Sequence, residues 1–156
     1  MNFLTPWSQS EKDELLKYIQ QIIGHQIAGF QAQLDSLNLS IANETKSSAG
    51  DKFETAREML NQEINGINVQ LNLLSNQLRD IQKIGHVRNT QIVLGSLFAT
   101  DEKCYLLATG LGKIVYKDTE VMVISVQSPF AKSAIGKSVG QQVGIVGKTR
   151  HVNWIL

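Results

Sequence analysis

The sequence predicts an α+β protein. An N-terminal antiparallel coiled-coil helical hairpin fills residues 1–84, with its tip near 44–54, and a small, mainly antiparallel-sheet domain fills residues 85–156. Three observations predict it. First, Ile23, Ile27, Phe30, Leu34, Leu37 and Ile41 recur at steps of four and three, and Leu60, Ile64, Ile67, Leu71, Leu74, Leu78 and Ile81 do the same. That period is the seam of a coiled coil. Second, a polar break from Asn43 to Glu58 separates the two patterns, so the helices fold back to bury their stripes on each other. Third, beyond Gly85 the pattern changes to short apolar runs punctuated by glycine, the signature of strands and turns.

The elements follow in order. Ser8 or Ser10, with Glu11, Asp13 and Glu14 close behind, supplies a cap and acids for the positive end of the first helix, which runs to about Glu44. The second helix starts near Ser48 or Gly50, where Ser48 and Asp51 have the spacing of a capping box, and ends at Ile84 before Gly85. At about 1.5 Å per residue each helix is on the order of 50 Å long. The run Gln91–Phe98 reads as a strand, as does Lys103–Ala108, with Thr100-Asp101-Glu102 turning between them. Gly110–Lys113 reads as a loop and Glu120–Val126 as the strongest strand. Ser128 then caps a short helix with Pro129 at its first position, ending at Gly136. Gln142–Val146 and His151–Ile155 form a last hairpin around Gly147-Lys148-Thr149.

Composition narrows the function classes. Net charge is only +1, but residues 1–84 carry seven Lys/Arg against ten Asp/Glu, and residues 85–156 carry eight against four. The second half therefore favours an anionic partner surface. Cys104, the single cysteine, lies in a strand pattern and reads as a buried structural thiol. No N-terminal basic region precedes an apolar run, and no apolar stretch approaches the roughly 18 residues of a membrane span, so a cytoplasmic, non-membrane protein is expected. Gly136-Lys137-Ser138 and Gly147-Lys148-Thr149 resemble the end of a phosphate-binding loop, but Ala131 and Gln142 stand where its first glycine belongs. His25, His86 and His151 have no neighbour at metal-ligand spacing. An enzyme in its own right is not expected. The tip is richer: Glu44, Asp51, Glu54 and Glu58 lie within fifteen residues. They either cap the second helix in solvent or offer carboxylates to a cation shared with another molecule.

One segment points to a family. Ile124-Ser125-Val126-Gln127-Ser128-Pro129-Phe130-Ala131-Lys132-Ser133-Ala134-Ile135-Gly136-Lys137 resembles the I-S-V-x-S-P-I-A-x-A-L-I-G-K segment of the bacterial Gre transcript-cleavage factors. Phe53-Glu54-Thr55-Ala56-Arg57-Glu58 is similar to that family's Y-H-A-A-R-E, so the resemblance spans nearly the whole chain. It implies an FKBP-like fold for the C-terminal domain, docked on RNA polymerase through Gln127, Ser128, Pro129 and Phe130. It also implies a hairpin reaching through the polymerase's secondary channel towards the nascent RNA. Two acids at the family's tip, in a G-D-L-x-E-N motif, help hold the Mg²⁺ with which the polymerase cleaves backtracked RNA. By this resemblance Asp51 and Glu54, with Glu44 nearby, would contact Mg²⁺ only in complex with polymerase, no cofactor being held stably otherwise. The tip departs from the pattern. Without gaps, Lys46 and Ala49 fall where the acids belong, and Gly50–Thr55 matches the motif only through a five-residue deletion that breaks the heptad register. Three alternatives therefore stay open: a channel-competing inhibitor that does not promote cleavage, a structural coiled-coil module and a prolyl isomerase. A monomer is expected.

Overall fold

A computed structural model describes residues 5–44, 50–86, 88–145 and 147–156, with the side chain of Asp51 outside the description. The elements are α1 (Gln9–Glu44), α2 (Asp51–Gln82), β1 (Leu97–Thr100), β2 (Cys104–Ala108), β3 (Gly112–Tyr116), β4 (Thr119–Ser125), α3 (Pro129–Ala134), β5 (Gln142–Ile145) and β6 (Lys148–Ile155). Contacts divide the chain into two compact units, one of Met1–Gln20 with Arg79–Leu156 and one of Gln21–Leu78. The roots of both long helices thus belong with the sheet, whereas the composition shift in the sequence lies near residue 84.

In the Gln21–Leu78 unit, burial follows the heptads. Ile27, Phe30, Leu34, Leu37 and Ile41 are half-buried at steps of three and four. On α2, Phe53, Ala56, Leu60, Ile64, Ile67, Leu71, Leu74 and Leu78 are half-buried or buried at the same steps. A groove of about 510 Å³ opens where Gln26, Gly29, Phe30 and Gln33 of α1 meet Gln70 and Leu74 of α2. Its lining places the middle of α1 beside the later turns of α2, as antiparallel helices require.

In the other unit, the strand order is β3-β4-β2-β1-β6-β5. The pairs β1–β2, β1–β6, β3–β4 and β5–β6 are antiparallel and β2–β4 is parallel, so the sheet is mixed and mainly antiparallel. Strand β2 is buried along its whole length. Side chains alternate across it. Tyr105 and Leu107 face a core with Phe98, Ile92, Ala131, Ala134, Val143 and Val152, under α3. Leu106 on the other face is fully buried, as are Leu97, Val121 and Val123. The start of α1 is tied to this sheet. Tyr116 of β3 packs its ring near those of Trp7 and Tyr18 and donates its hydroxyl to Glu14 Oε2 at 2.9 Å. Lys117 Nζ reaches the same oxygen at 2.6 Å.

Several boundaries differ from the sequence-based expectation. Ser8, not Ser10, caps α1. Its amide and hydroxyl both donate to Glu11 Oε2, and its hydroxyl accepts from the Glu11 amide, a capping box that also holds the Glu11 carboxyl below its usual range. The Ser48 half of the expected box on α2 lies outside the described residues; Gly50 O accepts the first helical bonds, from the amides of Phe53 and Glu54. The run Gln91–Phe98 is not one strand. Its first half bridges to Ser138 and bonds to Gly136 and Lys137, and β1 begins only after Gly95 turns the chain at φ 89°. The region expected as a loop at Gly110–Lys113 opens β3. Lys117 (φ 45°) and Asp118 (φ 62°) join β3 to β4 in a two-residue turn of the kind that suits strand twist, without the usual asparagine or glycine. Strand β6 begins at Lys148 rather than His151.

Lys12 is only 1% exposed. Its ammonium donates to Leu156 O at 3.0 Å, an oxygen that also accepts from Leu97 N. Burial holds the ammonium below the usual lysine value of 10.5, against the pull of Asp13. The unfolded chain therefore binds this proton more tightly, and between the depressed value and 10.5 the folded state gains stability as pH rises. Lys12→Met, which leaves Leu156 O its bond from Leu97, is expected to stabilise the protein by about 1 kcal/mol at neutral pH. Its advantage over the wild type should shrink as pH approaches 10.5. Urea unfolding of both proteins at pH 7 and pH 10 checks this; an advantage that does not change with pH refutes it.

Candidate functional site

Strand β4 ends at Ser125, and the chain turns through Gln127 to the cap of α3. Ser128 accepts from Ala131 N on its hydroxyl at 3.2 Å and from Lys132 N on its carbonyl at 3.0 Å. Its backbone is extended, with φ −65° and ψ 145°, and Pro129 sits at the first helical position, where no amide donor is needed. The cap is tied from behind by Ser128 N donating to Ser125 O and by Gln127 N donating to Ser125 Oγ. Gln127 and Pro129 are consequently exposed, and Phe130 is half-buried. The four residues named from the sequence form one continuous, hydrogen-bonded projection.

Beneath it stands an aromatic column. The Phe130 ring stacks on Tyr105 at 4.5 Å between centroids, and Tyr105 stacks on Phe98 at 5.3 Å. On the outer side the Arg150 guanidinium lies 5.9 Å from the centre of the Phe130 ring. Arg150 pairs with Glu102 Oε2 at 2.6 Å and approaches the Tyr105 hydroxyl at 3.5 Å. The bond to Glu102 raises the Arg150 pKa and lowers that of Glu102. Burial raises that of Tyr105, opposed by the positive charge of Arg150. A fixed cation thus sits beside an aromatic edge and an exposed proline, a surface suited to binding and not to bond-making.

The far side of α3 is anchored equally well. Ser133 Oγ donates to Phe130 O at 2.7 Å and accepts from Gly144 N of β5 at 3.0 Å. Sequence reasoning did not find Tyr105, Glu102, Arg150 or Ser133. Their only signal is which strands neighbour each other, and that is not local. Phe98, Tyr105 and Phe130, which are scattered in sequence, are brought together, but Phe98 and Tyr105 are buried in contact with one another and do not line a cavity. Cys104 is buried, and burial pushes its thiol up to about 12, so it is inert at neutral pH.

At the hairpin tip, Glu44 ends α1 and is half-buried, while Glu54 lies exposed on the first turns of α2. Asp51 is the first residue of α2, its side chain outside the described set together with Thr45–Ala49. Among the described residues no group of three or more His, Cys, Asp or Glu side chains comes together as a metal site. Also among them, no helix is long and apolar enough to cross a membrane.

The architecture is that of an α+β protein, two long N-terminal helices followed by a six-stranded mixed sheet. No family model matches the chain, and no curated protein matches it in sequence. Solved structures similar to it include that of the transcription factor Gfh1, with 18% identity, a TM-score of 0.33 and coverage of 87% of this chain and 92% of that one. The GreA factor homolog 1 (Gfh1) protein of Thermus thermophilus has 18% identity, a TM-score of 0.33 and coverage of 88% and 94%. Gfh1 of Thermus aquaticus has 19% identity, a TM-score of 0.31 and coverage of 86% and 92%.

Proposed function

We propose that the protein is a Gre-like regulator of RNA polymerase, anchored by its C-terminal domain and acting through its hairpin tip in the secondary channel. The observation that supports this reading most is the segment Ile124–Lys137. Its sequence resembles the Gre docking segment, and its Gln127-Ser128-Pro129-Phe130 stretch is a rigid, partly exposed cap braced by Tyr105 and Arg150. A cap already ordered before binding loses little entropy on docking. The basic excess of residues 85–156 favours an acidic partner surface.

In this reading the protein has no chemistry of its own. Glu44, Asp51 and Glu54 offer the hard oxygen donors that Mg²⁺ prefers, and too few of them to hold it without the polymerase's own ligands. A Mg²⁺ shared in that way would supply an activated water and charge stabilisation for cleavage of backtracked RNA by the polymerase. One observation favours the second reading, a channel competitor that does not promote cleavage. The α2 seam runs in unbroken steps of three and four from Phe53 to Ile81, which leaves no sign of the five-residue deletion needed to align Asp51 and Glu54 with the Gre acids.

Binding to the cognate core polymerase tests the anchor. Pro129→Ala is expected to weaken it about tenfold, the loss of one well-placed contact of roughly 1.4 kcal/mol. Absence of binding by the unaltered protein removes the proposal. Asp51→Ala/Glu54→Ala is expected to bind normally. Stimulated RNA cleavage lost in that double variant supports a cleavage factor; displacement of an authentic cleavage factor without cleavage supports the competitor.

A further inference from the structure

The two helices are nearly uncharged along their shafts. Residues 21–43 contain one acidic or basic residue, Asp35, and residues 59–78 contain one, Glu63. Helices bathed in water ordinarily carry such residues at roughly one position in four, and depletion of charge is a mark of surfaces that become buried between proteins. On α2 the depletion coincides with an apolar stripe outside the hairpin seam. Met59, Gln62, Gly66, Val69 and Leu73 recur at steps of three, four, three and four, on the side of the helix turned away from Ile64, Ile67 and Leu71. Met59 is 66% exposed, Val69 64% and Leu73 50%. Gly66 lies at the centre, and a Cβ built there meets nothing within 4 Å. Nothing around it in the fold thus requires a glycine, although glycine weakens a helix interior.

The stripe is symmetric about Gly66. Met59 lies seven residues before it and Leu73 seven after. When two copies of α2 cross antiparallel with Gly66 facing Gly66 of the second copy, each Met59 meets a Leu73 and the missing side chains let the backbones approach. This is the self-complementarity of a two-fold interface. We propose that the outer face of α2 is a homodimer interface, paired antiparallel about Gly66. Three apolar side chains per copy place it at the small end of specific interfaces, with a dissociation constant on the order of 10–100 μM. The inference stands whether or not polymerase is the partner, and it corrects the expectation of a simple monomer at high concentration.

Sedimentation of the full chain over a concentration series tests it. The wild type is expected to shift from monomer to dimer, and Leu73→Gln to move the midpoint at least tenfold upward. Gly66→Leu is expected to keep or raise the melting temperature while abolishing the dimer, which separates loss of the interface from loss of the fold. Under mild oxidation Gly66→Cys is expected to form a covalent dimer. Met59→Cys alone is not expected to, but should do so when mixed with Leu73→Cys. The buried Cys104 does not interfere. A wild type that stays monomeric to about 0.5 mM, far above that range, overturns the proposal. So does a Met59→Cys protein that cross-links to itself, because that pairing is parallel.

Discussion

Phe98→Ala is expected to destabilise the protein by about 3–5 kcal/mol, the cost of removing a large ring from a closed core. Phe98 is fully buried and begins the stack that continues through Tyr105 to Phe130. The loss has two parts. The ring's burial is forfeited, and a void opens under Tyr105 that neighbouring β-strands are too rigid to fill. Against the 5–15 kcal/mol by which domains of this size are stable, such a loss is a large share. Urea unfolding measures it. A cost below about 1.5 kcal/mol, within the range of volume-conserving core changes, contradicts a filled stack. The same substitution reaches the candidate site, since Phe130 stands on Tyr105 and Tyr105 on Phe98. Binding through the Gln127–Phe130 cap is therefore expected to fall even in the fraction that remains folded.

The helices were legible in the sequence because their information is local and periodic. The seam positions named from spacing alone, from Ile27 to Ile41 and from Leu60 to Leu78, are the ones that burial picks out. The short helix α3 was legible for another local reason: a serine cap followed by proline at the first position has few other structures open to it. The sheet was less legible where the signal is not local. Gln91–Phe98 looks like one strand because every residue in it tolerates extended backbone, yet Ile92 bonds to the segment after α3. Strand β3 escaped notice because Lys117 and Asp118 take left-handed conformations without an asparagine or glycine to announce them. Arg150 was equally hidden. Its partners Glu102 and Tyr105 are more than forty residues away in sequence, and only the order β2-β1-β6 brings them together.

Gly144→Ala is expected to cost about 3 kcal/mol, an estimate that joins the strain of an unfavourable backbone conformation to a steric clash. Gly144 sits in β5 at φ 149°, and a Cβ there would collide with the carbonyl oxygen of Lys148 on the neighbouring strand. Lys148 O is backbone and cannot swing aside as a side chain would, so the β5–β6 hairpin must open. The amide of Gly144 also donates to Ser133 Oγ, the link that holds α3 against the sheet edge. Opening the hairpin therefore removes the far anchor of α3, while the Ser128 cap at its other end keeps its own bonds to Ala131 and Lys132. Thermal unfolding measures the cost. Hydrogen exchange locates it, with the amides of Gly144 and Val152 expected to lose protection first. Ser133→Ala, which removes the link without the clash, is expected to cost about 1 kcal/mol, the worth of a typical hydrogen bond. Equal costs for the two variants would mean that the Ser133 link, and not the backbone at Gly144, holds this end of the site together.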